Sequence, residues 1–285
     1  MPYHPPPPMT TINTLDELAS ARPGASEAEL DAFQLIETIE IDAKQIGDIG
    51  ARILASALEC GTFTRLKRLN LHNNRIGPDG ATAVASALER GSFQALEHIN
   101  FGCNQFGVEG AKALANALER GSFPRLQSVD LHGNFVGDEG VKALMAALER
   151  GAFQYLNYIN LFANDIRPEG AKAVASALER GSFQSLWDLV LRDNLIGAEG
   201  AEAVAIALEH STLPRLENVN LNGNRGVGDS VLKRVRVAVA GARQRGRVLS
   251  LLGAESDRCN SPARRFLARD GDRAVMCRVW GFMLS

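Results

Sequence analysis

The chain has 285 residues, 45% hydrophobic and 22% charged, the proportions of a soluble globular protein. Thirty-one Lys and Arg against 33 Asp and Glu give a net charge of −2, which excludes a globally basic nucleic-acid binder and an acidic polyanion. No run approaches the ~18–20 apolar residues of a bilayer span, and the start, MPYHPPPPMTT, lacks the basic and apolar regions of a signal peptide. Four cysteines, at 60, 103, 259 and 277, fit neither a close-set metal pattern nor a small disulfide framework. Reduced thiols and a cytoplasmic location are therefore expected.

Residues 1–25 read as a proline-rich, disordered N-terminal segment, in which His4 to Pro8 favour polyproline II. Residues 1–32 carry −4, one Arg against five acids. Ser26 with Glu29 makes a capping box, the start of a short helix placed to shield the open edge of whatever follows.

From about Phe33 to about Ala242 the chain repeats itself. Asn74, Asn104, Asn134, Asn164, Asn194 and Asn224 are each 30 residues apart. Three residues before each stands Leu or Phe, eight before stands Leu, and six after the first five stands Gly. An earlier unit shares the frame through Ile36, Ile39, Ile41 and Gly50, with Lys44 in place of Asn, which makes seven units in all. Within one unit, Leu66, Leu69 and Leu71 end in the alternation of a strand. Asn74 to Gly80 is turn chemistry, and Ala81 to Arg90 reads as a helix with Val84 and Leu88 on one face, closed by Gly91. One strand–helix unit cannot bury its own apolar face, so neighbours must stack. The six asparagines are read as structural, bonding backbone groups in the turn and the next coil.

The pattern LxxLxLxxNxIGxxGAxAxAxAL resembles the leucine-rich repeat of the ribonuclease-inhibitor type, similar to the repeats of NOD-like receptors and Ran GTPase-activating proteins. The resemblance implies an α/β solenoid, a horseshoe with parallel strands on the concave face and helices on the convex face. The solenoid with its caps is expected over 26–252, with repeats at 33–242. Lys44, Arg167 and the extra residue within Asn224–Gly228 depart from the pattern.

In each LxxLxLxx the third, fifth and seventh side chains point away from the core. The fifth column reads Glu40, Asn70, Asn100, Asp130, Asn160, Val190, Asn220, and its amides either bond one another or meet a ligand. The third and seventh columns vary more. They supply the candidate partner-binding residues Arg68, His98, Tyr158 and Asp188, then His72, His132, Phe162 and Arg192, with Trp187 flanking and Phe135 and Leu195 adding apolar area. His72 and His132 share a column two strands apart, so their backbones are separated by roughly 9–10 Å. His98 lies in another column and Cys103 is a single loop thiol, so no metal site is expected. No GxSxG, P-loop or HExxH is present, and no nucleophile–base constellation shows in the spacing. A catalytic site, a cofactor and a small-molecule substrate are not expected.

Leu232, Val235 and Val239 suit a last helix, and Val248 to Leu252 read as an eighth strand. Residues 253–285 form an Arg-rich tail read as poorly ordered. Over 243–285, nine Arg against four acids give +5. Nucleic acid is not the expected partner, and a monomer is expected. The functional expectation is a non-enzymatic scaffold that binds a protein through the concave face. The alternatives are a GTPase activator of the Ran-activator type and a structural cytoskeletal repeat protein.

Overall fold

The thirty-residue spacing becomes a pairing register in the computed structural model, which describes residues 10–18, 33–60, 63–151, 153–181 and 183–258. Eight parallel strands lie side by side in chain order. They are β1 (Thr11–Ile12), β2 (Thr38–Glu40), β3 (Arg68–Asn70), β4 (His98–Asn100), β5 (Ser128–Asp130), β6 (Tyr158–Asn160), β7 (Asp188–Val190) and β8 (Asn218–Asn220). From β2 onward each residue pairs with the one 30 positions later, as Leu69 does with Ile99 and Ile99 with Val129. Helices α1 (Gly47–Cys60), α2 (Pro78–Arg90), α3 (Gly107–Arg120), α4 (Gly137–Arg150), α5 (Pro168–Glu179) and α6 (Gly197–His210) return the chain to the next strand. Helix α7 (Asp229–Arg258) follows β8.

Aliphatic residues turn inward from every strand: Leu66, Leu69 and Leu71 are essentially inaccessible, and Val84 and Leu88 of α2 are buried on the helical side. Strands stack at about 4.8 Å, whereas packed helices need about 8–10 Å, so the sheet takes the inner, concave surface. Small residues keep the helix spacing down. Ala81, Ala85 and Ala87 are buried in α2, and their counterparts Ala111, Ala115 and Ala117 are buried in α3.

The asparagines hold one coil to the next. Asn164 is inaccessible to solvent. Its Oδ1 accepts the N–H groups of Asn134 (3.0 Å) and Val136 (3.3 Å), while its Nδ2 donates to the carbonyls of Leu131 (2.9 Å) and Phe162 (3.1 Å). Asn74, Asn104, Asn134, Asn194 and Asn224 are likewise buried and bonded. Even Lys44, standing in the asparagine frame, donates its N–H to Asn74 Oδ1 at 3.0 Å. Among the described residues no buried side-chain polar atom lacks a partner.

Gly91 closes α2 with its N–H on the Ala87 carbonyl, but in extended backbone (φ −79°) rather than as a left-handed cap. Glycine is needed there for space, because a Cβ would press into the Phe93 ring. Phe93 in turn stacks on Phe123 with ring centroids 6.5 Å apart.

Both ends differ from expectation. Thr11 and Ile12 fall inside the segment expected to be disordered, yet they pair with Thr38 and Ile39, and Ile12 is wholly buried. The extra strand thus extends the N-terminal edge of the sheet. Val248 to Leu252 are helical rather than an eighth strand, because α7 runs unbroken to Arg258, into the stretch read as a disordered tail. The Ser26–Glu29 capping box, the polyproline run and residues from 259 onward lie outside the described residues.

Helix α7 covers the last coil. Val235, Ala238, Val239 and Ala242 are buried against it. Arg245 donates to the carbonyls of Leu208 (2.6 Å) and Ser211 (3.1 Å), which satisfies the end of α6. Arg234 grips Glu209 at 2.6 Å. At Gly246 a Cβ would sit 2.5 Å from the Pro214 nitrogen. Helix propensity alone makes Gly→Ala stabilising by about 1 kcal/mol. Here the backbone clash reverses the sign, and Gly246→Ala should lower stability by about 1–3 kcal/mol in urea unfolding. A raised urea midpoint would mean that α7 does not seat this closely.

Candidate functional site on the strand face

The fifth column is largely consumed by the fold. Asn70, Asn100, Asp130, Asn160 and Asn220 each accept, through Oδ1, the N–H two residues further on, at 3.0–3.1 Å. Asn160 also donates to Asp130 Oδ2 at 3.1 Å, and Asn70 donates to Glu40. The amides do not pair with one another: their oxygens accept the chain's own backbone N–H groups, and Asn70 and Asn160 donate to neighbouring carboxylates.

The seventh column forms a continuous stripe. Asp42 Oδ1 lies 2.8 Å from His72 Nδ1. The His72 and His132 ring centroids are 5.3 Å apart, His132 is 6.3 Å from Phe162, and the Arg192 guanidinium lies over Phe162 at 5.9 Å. The backbone separation predicts isolated imidazoles. The structure brings them together because the residue between them in the column is Gly102, whose missing side chain leaves room for the His132 ring: a Cβ there would overlap it.

Cys103 joins this cluster from the adjoining turn, at a left-handed backbone position (φ 53°) that repeats in the neighbouring coils at Asn73 and Gly133. Its Sγ is 3.2 Å from His132 Nε2, and His132 Nδ1 is 2.7 Å from Asp130 Oδ1. Thiol, imidazole and carboxylate therefore stand in the order of a nucleophile, a base and its orienting group. That constellation is absent from the linear spacing, since its members come from two coils. Its thiol is held above the usual range by burial and by the Asp130 and Asp42 carboxylates. An activated cysteine needs the opposite environment.

The remaining predicted residues divide. Tyr158 and Asp188 are half-buried on adjacent strands. The Tyr158 hydroxyl is raised by burial and by Asp130 and Asp188. Burial also raises the Asp188 carboxyl, against the hydrogen bond from Asn218 at 2.9 Å. His98 bonds Ser128 at 2.8 Å, and burial lowers its pKa, with Glu97 opposing and Arg68 assisting. Arg68 is exposed. Trp187 does not join the stripe. It precedes β7, whereas Arg192 follows that strand, and it lines a separate open groove with Asn157, Pro214, Arg215, Glu217 and Arg247. Phe135 and Leu195 are exposed in the turns, at 59% and 45%. Sequence reasoning passed over Asp42 and Asp130 as partners of the histidines. The available signal was Gly102 between two histidines of one column.

A family model described as Leucine Rich repeat matches residues 64–85, 94–115, 125–145, 154–175 and 184–205. Among curated proteins no match is found. Among solved structures the chain is similar to Leiomodin-1 Actin-Binding Site 2 (ABS2), at 17% identity and a TM-score of 0.44, over 63% of this chain and 96% of that one. No described helix is long and apolar enough to cross a membrane. The five matched repeats lie in a single parallel sheet whose register advances by 30 residues per strand, the architecture of an α/β solenoid consistent with leucine-rich repeats.

Proposed function

We propose that the protein is a non-enzymatic scaffold that binds a protein partner on the strand face, centred on Tyr158, Phe162 and Arg192. The observation that carries this reading is the Phe162–Arg192 stack just past the strand ends, with Tyr158 at the start of β6 on the same face. Here aromatic and guanidinium groups stand partly exposed on a face whose amides are already satisfied within the fold. Aromatic residues and Arg supply most of the energy at protein interfaces, and a rigid sheet presents them at little entropic cost. The short parallel strands fix their spacing, so the stripe is preorganised.

The triple variant Tyr158→Ala/Phe162→Ala/Arg192→Ala tests it in affinity capture, beside Lys142→Ala on the helical face as control. Proteins retained by wild type and by the control should be lost from the triple variant. At about 1–2 kcal/mol per anchor, binding should weaken by roughly 100-fold or more. An unchanged set of captured proteins would place the binding surface elsewhere. Trp187→Ala is expected to leave capture unchanged, because Trp187 lies in the separate groove.

A further inference from the structure

We propose that His72, Cys103 and His132 form a binding site for a divalent transition metal of the zinc class, with one coordination position open to solvent. One ring nitrogen from each histidine and the Cys103 Sγ all lie within 4.8 Å of one another. Tetrahedral zinc with two nitrogen ligands and one sulfur sets its ligands about 3.3–3.6 Å apart, from Zn–N near 2.0–2.1 Å and Zn–S near 2.3 Å. Cys103 Sγ and His132 are already at 3.2 Å. The two edges to His72, each at most 4.8 Å, close to that spacing with about an ångström of side-chain rotation.

The protonation pattern matches as well. An ionised carboxylate only accepts hydrogen bonds, so the Nδ1 atoms facing Asp42 and Asp130 carry the protons. Both Nε2 lone pairs are then free for a metal, and the His132 one is aimed at Cys103. A carboxylate behind each ligating imidazole is the usual outer shell of a zinc site, where it fixes the tautomer and raises ligand basicity. Two histidines of different coils carry that same partner, and the coil between them has glycine where a side chain would fill the space. Nitrogen and sulfur donors select zinc, cobalt or copper over magnesium and calcium. Cys103 is exposed and both rings are partly so, which leaves the metal's fourth position to water or to a ligand from outside the chain.

Titration of the 285-residue chain with Co²⁺, followed by absorbance and then by competition with Zn²⁺, tests the site. One equivalent should bind with a thiolate-to-cobalt charge-transfer band and a tetrahedral d–d spectrum, and Zn²⁺ should displace it. Cys103→Ser should abolish the charge-transfer band. Asp130→Asn should weaken binding by about 10- to 100-fold without changing the ligand set. Gly102→Val, checked for retained helicity, should abolish binding by displacing the His132 ring, although no ligating residue is itself substituted. The triple change Cys60→Ser/Cys259→Ser/Cys277→Ser should leave the band intact. Absence of any charge-transfer band, or a band that survives Cys103→Ser or disappears with the other three cysteines, would overturn the proposal.

Discussion

Asn164→Ala should destabilise the protein by about 3–5 kcal/mol, because it orphans two buried backbone donors of the preceding coil. The carbonyls of Leu131 and Phe162 lose one donor but keep another, from the Asn134 amide and the Gly133 N–H, whereas the N–H donors of Asn134 and Val136 lose their acceptor. Each such buried group costs about 1–3 kcal/mol when left unpaired, and water cannot enter a site that is fully inaccessible. Urea unfolding should show a clear fall in midpoint. Asn220→Ala provides the contrast, since its oxygen accepts one exposed N–H at 3.1 Å, and about 1 kcal/mol or less is expected. Equal effects at the two positions would deny the buried ladder its role.

Val235→Asp should be nearly as damaging, at about 3 kcal/mol or more, and its signature should be local. Val235 is 1% exposed in the face of α7 that covers the last coil, and the new carboxylate would be buried in the apolar face that Ala238, Val239 and Ala242 continue. In a solenoid each unit is stabilised chiefly by its neighbours, so damage to a cap spreads inward from that end. Hydrogen exchange should therefore show protection lost first in α7, β8 and α6 while β3 to β5 keep theirs. Uniform loss along the chain would contradict a nearest-neighbour fold held by its cap.

The repeat was legible because its constraints are local and recur. Asn74 and its equivalents, the leucines at fixed offsets and the small helical residues each answer one packing need per coil, so the period is visible without any structure. The ends were not. Ile12 joins the sheet through only two paired residues, too few to give a period, and Val248 to Leu252 look like a strand although the helix of α7 carries straight through them. The stripe was half legible. Its column could be listed, but the meeting of His72 with His132 depends on side chains crossing a whole intervening strand, and the meaning of Gly102 lies in what it leaves vacant. Trp187, expected to flank the patch, lines a separate groove for the converse reason. Neighbours in the sequence register can still leave opposite ends of one short strand.

Hydrogen exchange on a complex with a captured partner tests the interaction surface most directly. Partner-dependent protection should cover the β6 and β7 strands and the turns that follow them, around Phe162 and Arg192, with the solvent face of α1 to α6 unchanged. Protection confined to the helices, with the strand face exchanging as in the free protein, would contradict the assignment.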